Sequence, residues 1–579
     1  MGKKPSVTEP KSKWPIILAG AGMFLAEVVV LAGAASPFRL PKEAVVLAAL
    51  GLAVAGGVIA AARRRAITLP NGPLVWVLIA LPVLQVVSAL WSASWLRAVE
   101  SSLLTIIWIA SILWLATVTT ATRRRLALVA AFGVAVSAGV MLMQLAGIGV
   151  FDFTAPFASN RMSLTGLTGN PADLAMAAVL LLPLLLTWGE DSSRPWLYQV
   201  LAAILALAAL TTQALTGVVA LAALLVVWLL QKRSKRLWFT TLGLATVIVA
   251  VALAAGLGSR LLLESERIRK GDWYHLFSAR GDGWSAGAEM IRERPLSGVG
   301  AANYTQVYYP SRLAWLGRYG GTGARGELAS HFQWAHCDPL QVVAELGIPG
   351  IAWMAALAVA IVSIRKRAGP LLPLAVAAWA PFALLHYPTH LAVGLIPTAL
   401  VLANLVATAE PPRTFQWQRA RLPIATVVAI VAIVAAGWQL RRVAVDLWIG
   451  GNELRLAMSG NLDPARRTRL AAAIEAQILS RIQRLPSAAP TLWRTVGRAR
   501  LVRREAAGAE AAFRTAYALW PHEDAEFYLG MSLVAQGRRG EGLQHLGRVC
   551  RTNPALARHI NNDDLRRSVE DAVAAYRQQ

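Results

Sequence analysis

The sequence predicts an all-α fold, a polytopic transmembrane helical bundle of about thirteen spans followed by a helical domain outside the membrane. Three observations predict it. Hydrophobic residues make up 56% of the 579 and charged residues only 15%, a balance that a water-soluble core of this length does not need. Apolar runs of roughly 16–24 residues recur down to residue 440, each long enough to cross the hydrocarbon layer as a helix. Much of the lysine and arginine behind the formal net charge of +25 sits in short runs between those spans, as the positive-inside rule requires. In a soluble protein that charge would suggest nucleic acid; here the membrane accounts for it, and no nucleic-acid partner is expected. Cys337 and Cys550 form neither a disulfide framework nor a metal-ligand spacing.

Taken in order, residues 1–14 form a basic cytoplasmic tail containing "KKPSVTEPKSK". The spans fall near 15–35, 43–62, 72–91, 100–118, 126–147, 173–188, 196–214, 216–230, 237–257, 341–363, 370–386, 391–408 and 423–440. With the N-terminus inside, Arg63–Arg65, Arg123–Arg125, "QKRSKR" (231–236), "RKR" (365–367) and "RTFQWQRAR" (413–421) all land on the cytoplasmic face. The alternation works with the first span retained, so that span reads as a signal anchor, although "AGAAS" could pass for a cleavage site. The 148–172 and 258–340 loops and the 441–579 tail then lie outside, and residues 15–440 form one membrane domain. Almost no charged residue falls inside the spans, which argues against an ion-coupled transporter.

In the tail, Pro486, Pro521 and Pro554 recur at intervals of 35 and 33 residues, and Gly497 and Gly530 at 33. Each glycine is read as opening a helical pattern that ends at the next of these prolines. The unit "WRTVGRARLVRREAAGAEAAFRTAYALWP" resembles a tetratricopeptide repeat, with small residues where two helices cross and proline closing the second. Generic helical hairpins would read similarly. Either way the tail is a contact surface, and a protein partner on it is expected.

The chemistry-bearing residues gather on the outer side. "HFQWAHCDPLQVVAELGIPG" (331–350) sets His336 at the mouth of a span, with Asp338, Gln341 and Glu345 following at near-helical spacing. An imidazole there can act as a general base near neutral pH. "SNRMSLTGLTGNPADLA" puts Arg161 ahead of Asn170 and Pro171, a turn and helix start. "SARGDGWSAGAEMIRERPLSGVGAANY" puts Arg280 at the start of an amphipathic helix, and "LLHYPTH" adds His386 and His390. Arginines at a bilayer surface suit a pyrophosphate, because the planar guanidinium stays charged and binds bidentately. The plainer reading has Arg161 and Arg280 snorkelling or paired with carboxylates such as Asp282, and Trp284 and Tyr304 as core or interfacial aromatics.

The blocks "GLTGNPADLA", "ARGDGWSAGAEMIRERPLSGVGAANY" and "AHCDPLQVVAELGIPG" resemble the signatures of the O-antigen ligase and polymerase superfamily, bacterial membrane glycosyltransferases with a large outer loop and a GT-C-like helical bundle. The resemblance runs over roughly residues 70–410. It implies a glycan donor on undecaprenyl pyrophosphate, no metal or nucleotide cofactor, and a place in the bacterial inner membrane with the tail periplasmic. By the same resemblance His336 is the base, Arg280 and Arg161 hold the donor pyrophosphate, and Asn170, Asp338, Glu345 and His386 support them. The acceptor would be a lipid A core, a growing polysaccharide or a protein hydroxyl. There are two departures from the family pattern. Leu215 stands where an arginine is usual at an outer turn, and Cys337 replaces the asparagine that usually follows the histidine. The missing arginine keeps open a second class, a catalytically degenerate scaffold of an envelope polysaccharide complex.

Overall fold

The computed structural model describes residues 13–149, 160–232, 235–320, 331–410, 412–416 and 421–578. Residues 1–12 of the basic N-terminal tail, 150–159 of the first outer loop, 233–234 of the "QKRSKR" run, 321–330 of the second outer loop, 411 and 417–420 beside and within the "RTFQWQRAR" run, and 579 therefore lie outside the described residues.

The membrane domain opens with α1 (Trp14–Val28), α2 (Arg39–Arg64), the short strand β1 (Ala66–Pro70), α3 (Pro73–Ser88), α4 (Trp95–Thr117) and α5 (Thr120–Leu145). It continues with α6 (Pro171–Glu190), α7 (Pro195–Thr211), α8 (Leu215–Gln231) and α9 (Lys235–Ala252). The loop that follows is itself helical: α10 (Gly258–Arg269), α11 (Trp273–Leu276), α12 (Arg280–Glu293) and α13 (Tyr304–Tyr319). Then come α14 (Asp338–Ala368), α15 (Leu371–Leu385), α16 (Ala392–Ala409), β2 (Pro412–Gln416) and α17 (Arg421–Met458). Among the described residues, eight helices are long and apolar enough to cross a membrane, and five shorter apolar helices fill the remaining predicted positions.

Two expectations change. The span expected to end at residue 257 passes through a π-turn (Leu253–Leu257) kinked at Gly256 (φ +103°), and a second helix, α10, then carries helical structure to Arg269 despite the polar sequence. The strands form an antiparallel ladder absent from the all-helical reading, pairing Ala66 with Gln416 and Thr68 with Thr414, whose hydroxyls are 3.0 Å apart. Glu27, inside the first expected span, and Lys42 and Arg123, just outside the second and fifth, are all buried. Arg123 is satisfied by Asn404 Oδ1 (2.9 Å) and the Val118 carbonyl (2.5 Å), as burial of a cation demands.

At the centre stands α6, buried without interruption from Pro171 to Leu185. A helix apolar on every side belongs in the middle of a bundle. Asn170 caps it, accepting from the Ala172 amide (2.9 Å), with Pro171 in the first turn. Small residues bring neighbours close: Gly217 of α8 leaves no room for a Cβ against Ala175 of α6.

The loop packs as a lid. Its link Pro295–Gly300 runs beside a kink in α14, where Gly347 takes φ 61°, ψ −142°. Val299 and Gly300 donate to the Ala344 and Glu345 carbonyls (both 2.9 Å), and Ile348 to that of Pro295 (3.1 Å). Gly298 (φ +67°) lies so near Glu345 that a Cβ would sit 2.4 Å from its carbonyl group. Only glycine fits both the angle and the approach.

The tail contains α18 (Pro464–Leu479), α19 (Ala489–Val502), α20 (Ala506–Leu519), α21 (Glu523–Ala535), α22 (Arg539–Thr552) and α23 (Asp563–Gln578). Gly497 and Gly530 do not open helices, as the sequence suggested. They lie inside α19 and α21, where the next helix crosses: Gly497 against Phe513, Gly530 against Leu546. Each antiparallel pair ends before Pro521 or Pro554. The pair α21–α22 shares a core with the lid, joining Phe527, Leu546 and Val549 to Tyr304, Tyr308 and Tyr309.

Candidate active site

His336 sits on the short segment between the lid and α14, in a left-handed conformation (φ +54°) that a non-glycine residue adopts at a cost of about 1–2 kcal/mol. The flanking backbone is held: the Ala335 amide donates to Gln341 Oε1 (3.1 Å), and Gln341 Nε2 to Glu345 Oε1 (3.0 Å). Glu345 Oε2 in turn accepts from the Ala302 amide (2.9 Å), tying the lid to the same brace. Gln341 and Glu345 are thus supports, one helical turn apart on the buried side of α14. Cys337 occupies the N-cap of α14 and makes no capping bond; an asparagine there would supply the acceptor that a thiol does not.

The His336 ring packs edge-on against Tyr387 (centroids 4.6 Å) and Phe332 (5.2 Å), with His386 5.9 Å away. His386 is buried and its Nε2 lies 2.9 Å from Asp173 Oδ1 at the start of α6. The Nδ1 atoms of both histidines are buried without a hydrogen-bond partner among the described residues. Burial holds the His336 imidazole well below its usual range, reinforced by His386, Arg280 and Arg39 nearby. Burial likewise lowers His386, with Asp173 opposing it in part.

Two arginines flank this pair. Arg280 opens α12 behind the left-handed Ala279 and donates to the Phe277 carbonyl (3.1 Å), while its Nε has no partner among the described residues. The expected alternative partner, Asp282, is engaged by Arg312 (2.5 Å). Arg39, the first residue of α2, donates to the Tyr387 hydroxyl (2.7 Å) and lies 3.8 Å from Asp173 and over the Trp334 ring (5.2 Å). Asp338 accepts from the Thr389 hydroxyl (2.8 Å) and lies 3.2 Å from His390 Nδ1. It fastens the start of α14 to the turn after α15.

Beside the cluster lies a cavity of about 1460 Å³. Its deeper wall is apolar, including Leu47, Leu78, Trp108 and Leu357, and its upper wall carries Arg39, Asp338, Glu345 and His390. Arg39 and Trp334 belong to both cluster and cavity, whereas His336, Arg280 and His386 do not line it.

The structure brings together His336, Arg280, Asp338, Glu345 and His386 as the sequence grouped them. Asn170 contributes through the α6 start that carries Asp173. The Arg161 backbone lies in a 3-10 turn (Asn160–Ser163), but its side chain is outside the described residues. Sequence reasoning missed Arg39, Asp173, Tyr387 and Thr389. Asp173 lay in the "GNPADLA" block already singled out, while Arg39 gave a signal only as a cation at a span's outer end. Leu215 opens α8 and supplies no charge. Among the described residues, His331, His522 and Glu523 also converge, their ligand-type atoms within 4.8 Å of one another. Those atoms are already engaged: His331 Nδ1 with Glu523 (2.6 Å) and Nε2 with the Thr305 carbonyl (2.8 Å), His522 Nδ1 with the Asp524 amide (3.1 Å). The cluster docks the tail on the lid.

The bundle and this rim of cations and imidazoles define a membrane protein with a polar, cationic cluster beside a largely apolar cavity. Residues 198–355, which hold Arg280, His336 and the α14 kink, match the family model described as O-Antigen ligase, so this part of the chain is similar to that family. No curated protein matches the chain.

Proposed function

We propose that the protein is a glycan transferase that moves a saccharide from undecaprenyl pyrophosphate to an acceptor hydroxyl on the outer face of the bacterial inner membrane. The observation that carries this reading is a buried imidazole with a free ring nitrogen, flanked by two arginines. His336 can accept a proton, while Arg39 and Arg280 can bind the diphosphate and stabilise the charge that develops on it. The acceptor oxygen attacks the anomeric carbon, the bond from that carbon to the phosphate oxygen breaks, and undecaprenyl pyrophosphate leaves with the bonding pair. The acceptor proton passes to His336. A cationic His336 between Arg39 and Arg280 is unfavourable, whereas His386 has Asp173 beside it. The His386–Asp173 pair is therefore the better resting place for the proton. No metal or nucleotide takes part in this scheme.

Arg39 also answers the substitution of Leu215, because it supplies a second cation from a different helix. The cavity's apolar lower wall suits the polyprenyl chain and its polar upper wall the head group. The tail, read as tetratricopeptide-like and periplasmic, stands over the acceptor side. Ligation to a lipid core, polymerisation and transfer to protein hydroxyls all use this chemistry.

The test is transfer from purified undecaprenyl-pyrophosphate glycan to a panel of lipid, glycan and protein acceptors, comparing wild type with His336→Ala and Arg280→Ala. Turnover in the wild type and loss in both variants is expected, and the working acceptor names the subclass. Donor binding without turnover on any acceptor would favour the scaffold reading that Leu215 keeps open.

A further inference from the structure

Away from His336, three segments meet at another part of the cavity wall: the start of α4, the start of α13 and the turn between α20 and α21. Their junction is tightly fixed. The Ser94 amide donates to Asn303 Oδ1 (2.8 Å) while Asn303 Nδ2 donates to the Ser94 carbonyl (3.3 Å). Trp520 Nε1 donates to the Thr305 carbonyl (3.3 Å), and Gln306 Nε2 to that of Leu519 (3.3 Å).

Two groups at this junction are not satisfied by the protein. Arg97, half-buried in the first turn of α4, lies over the Trp520 ring (4.8 Å), and among the described residues no carboxylate lies within 4 Å of it. The neighbouring acid, Glu100, is committed to Arg442 (3.2 Å) and the Trp438 indole (3.1 Å). Gln306 Oε1 is buried and has no donor among the described residues. Both residues line the cavity, with the exposed ring of Trp95 beside them. A half-buried cation without an ion-pair partner, facing a cavity, favours an anion, and a buried amide oxygen calls for a hydrogen-bond donor. One ligand supplies both: a sugar that carries a carboxylate or phosphate next to its hydroxyls.

We infer that Arg97 and Gln306, framed by Trp95 and Trp520, form an acceptor-side subsite for an anionic sugar residue, roofed by the C-terminal domain. Calling that sugar the acceptor rests on the transferase reading; the binding itself does not. The Arg97 guanidinium takes the acidic group, Gln306 takes a hydroxyl, and the Trp520 ring keeps Arg97 aimed into the cavity. The tail thereby contributes directly to what the cavity admits.

The test is equilibrium binding to the full-length chain in nanodiscs of zwitterionic lipid, read by tryptophan fluorescence at about 0.15 M salt. The probes are trigalacturonate, glucosamine 6-phosphate and, as the neutral control, maltotriose. Saturable binding of at least one anionic probe and not of maltotriose is expected. That binding should weaken about tenfold or more in Arg97→Gln, the loss of one charge-assisted contact. Gln306→Glu, on the lid surface, should weaken it too, and serves if Arg97→Gln does not fold. Preference between the two anionic probes assigns the acidic group. Equal binding to wild type and both variants, no saturable binding of either anionic probe, or displacement of the probes by short-chain phosphatidylglycerol as the tighter ligand would each overturn the assignment. Absence of transfer with retained, Arg97-dependent binding would count against the transferase reading alone.

Discussion

Replacing Asp173 by asparagine tests the proton's destination with little change in shape. Asp173 Oδ1 lies 2.9 Å from His386 Nε2, and Oδ2 3.8 Å from Arg39. A hydrogen bond to a charged group contributes about 1.5–3 kcal/mol, and the longer Arg39 contact adds about 1 kcal/mol or less. The contact to His386 matters most when the imidazole becomes cationic, which happens only as the acceptor loses its proton. Its loss should therefore lower kcat by about 10- to 150-fold and leave the donor KM nearly unchanged. The pH profile carries a second signature. Burial lowers His386 and Asp173 opposes that shift, so removing Asp173 lowers the imidazole further. Since His386 must be unprotonated to receive the proton from His336, the acid limb of the rate profile should move to lower pH while the plateau falls. Steady-state transfer between about pH 5 and pH 8, the window in which imidazoles titrate, reads both. Wild-type kcat with an unmoved acid limb in Asp173→Asn would refute the assignment, as would a loss confined to KM.

Three further outcomes are expected. Arg39→Gln should raise the donor KM by about 10- to 100-fold, one charge-assisted phosphate contact, in donor titrations at saturating acceptor. Gly298→Ala combines a left-handed angle with a Cβ 2.4 Å from Glu345, and should destabilise the lid by about 2–5 kcal/mol, seen as faster proteolysis of the 258–340 loop. Burial raises the Glu523 carboxyl, but the charge and hydrogen bond of His331 outweigh it and leave the group lowered. Its contribution to docking is then complete above the ordinary carboxylate value of about 4.3 and fades as pH falls through the lower folded value. Release of the tail below about pH 4, followed by protease access to the lid, should largely vanish in Glu523→Gln.

Much of this fold was legible because a bilayer imposes a coarse rule: every apolar run had to be a helix of fixed minimum length. Asn170 and Pro171 announced a helix start and made one. The charged residues were harder, because hydropathy averages hide single cations. Arg39 belongs to a long apolar helix and acquires a role only once Asp173 and Tyr387, remote in sequence, arrive beside it. The β1–β2 ladder joins segments more than 300 residues apart, beyond the reach of local pattern. His336 and His386 could be grouped because each stood at the outer end of a span, and Arg280 because it lay in the outer loop that ends at His336. That grouping could not reveal which carboxylate would face which imidazole. Gly497 and Gly530 gave the right period but the wrong place in it, since a glycine that admits a crossing helix and one that starts a helix look alike in a single sequence.

The helix α17 is unbroken from Arg421 to Met458, a rod of about 57 Å at 1.5 Å per residue. It leaves the bundle at one end and enters the tail at the other, so the roof over the cavity is geared to the membrane domain and not merely tethered to it. Each residue inserted along the rod would turn the tail by about 100° and raise it by about 1.5 Å. Trp520 would then lose Arg97, and His331 would lose Glu523, in the same step. A tail exchanged between relatives should work only where the joint preserves helical phase and length, and a flexible joint would leave the cavity open to whatever the lid alone can hold.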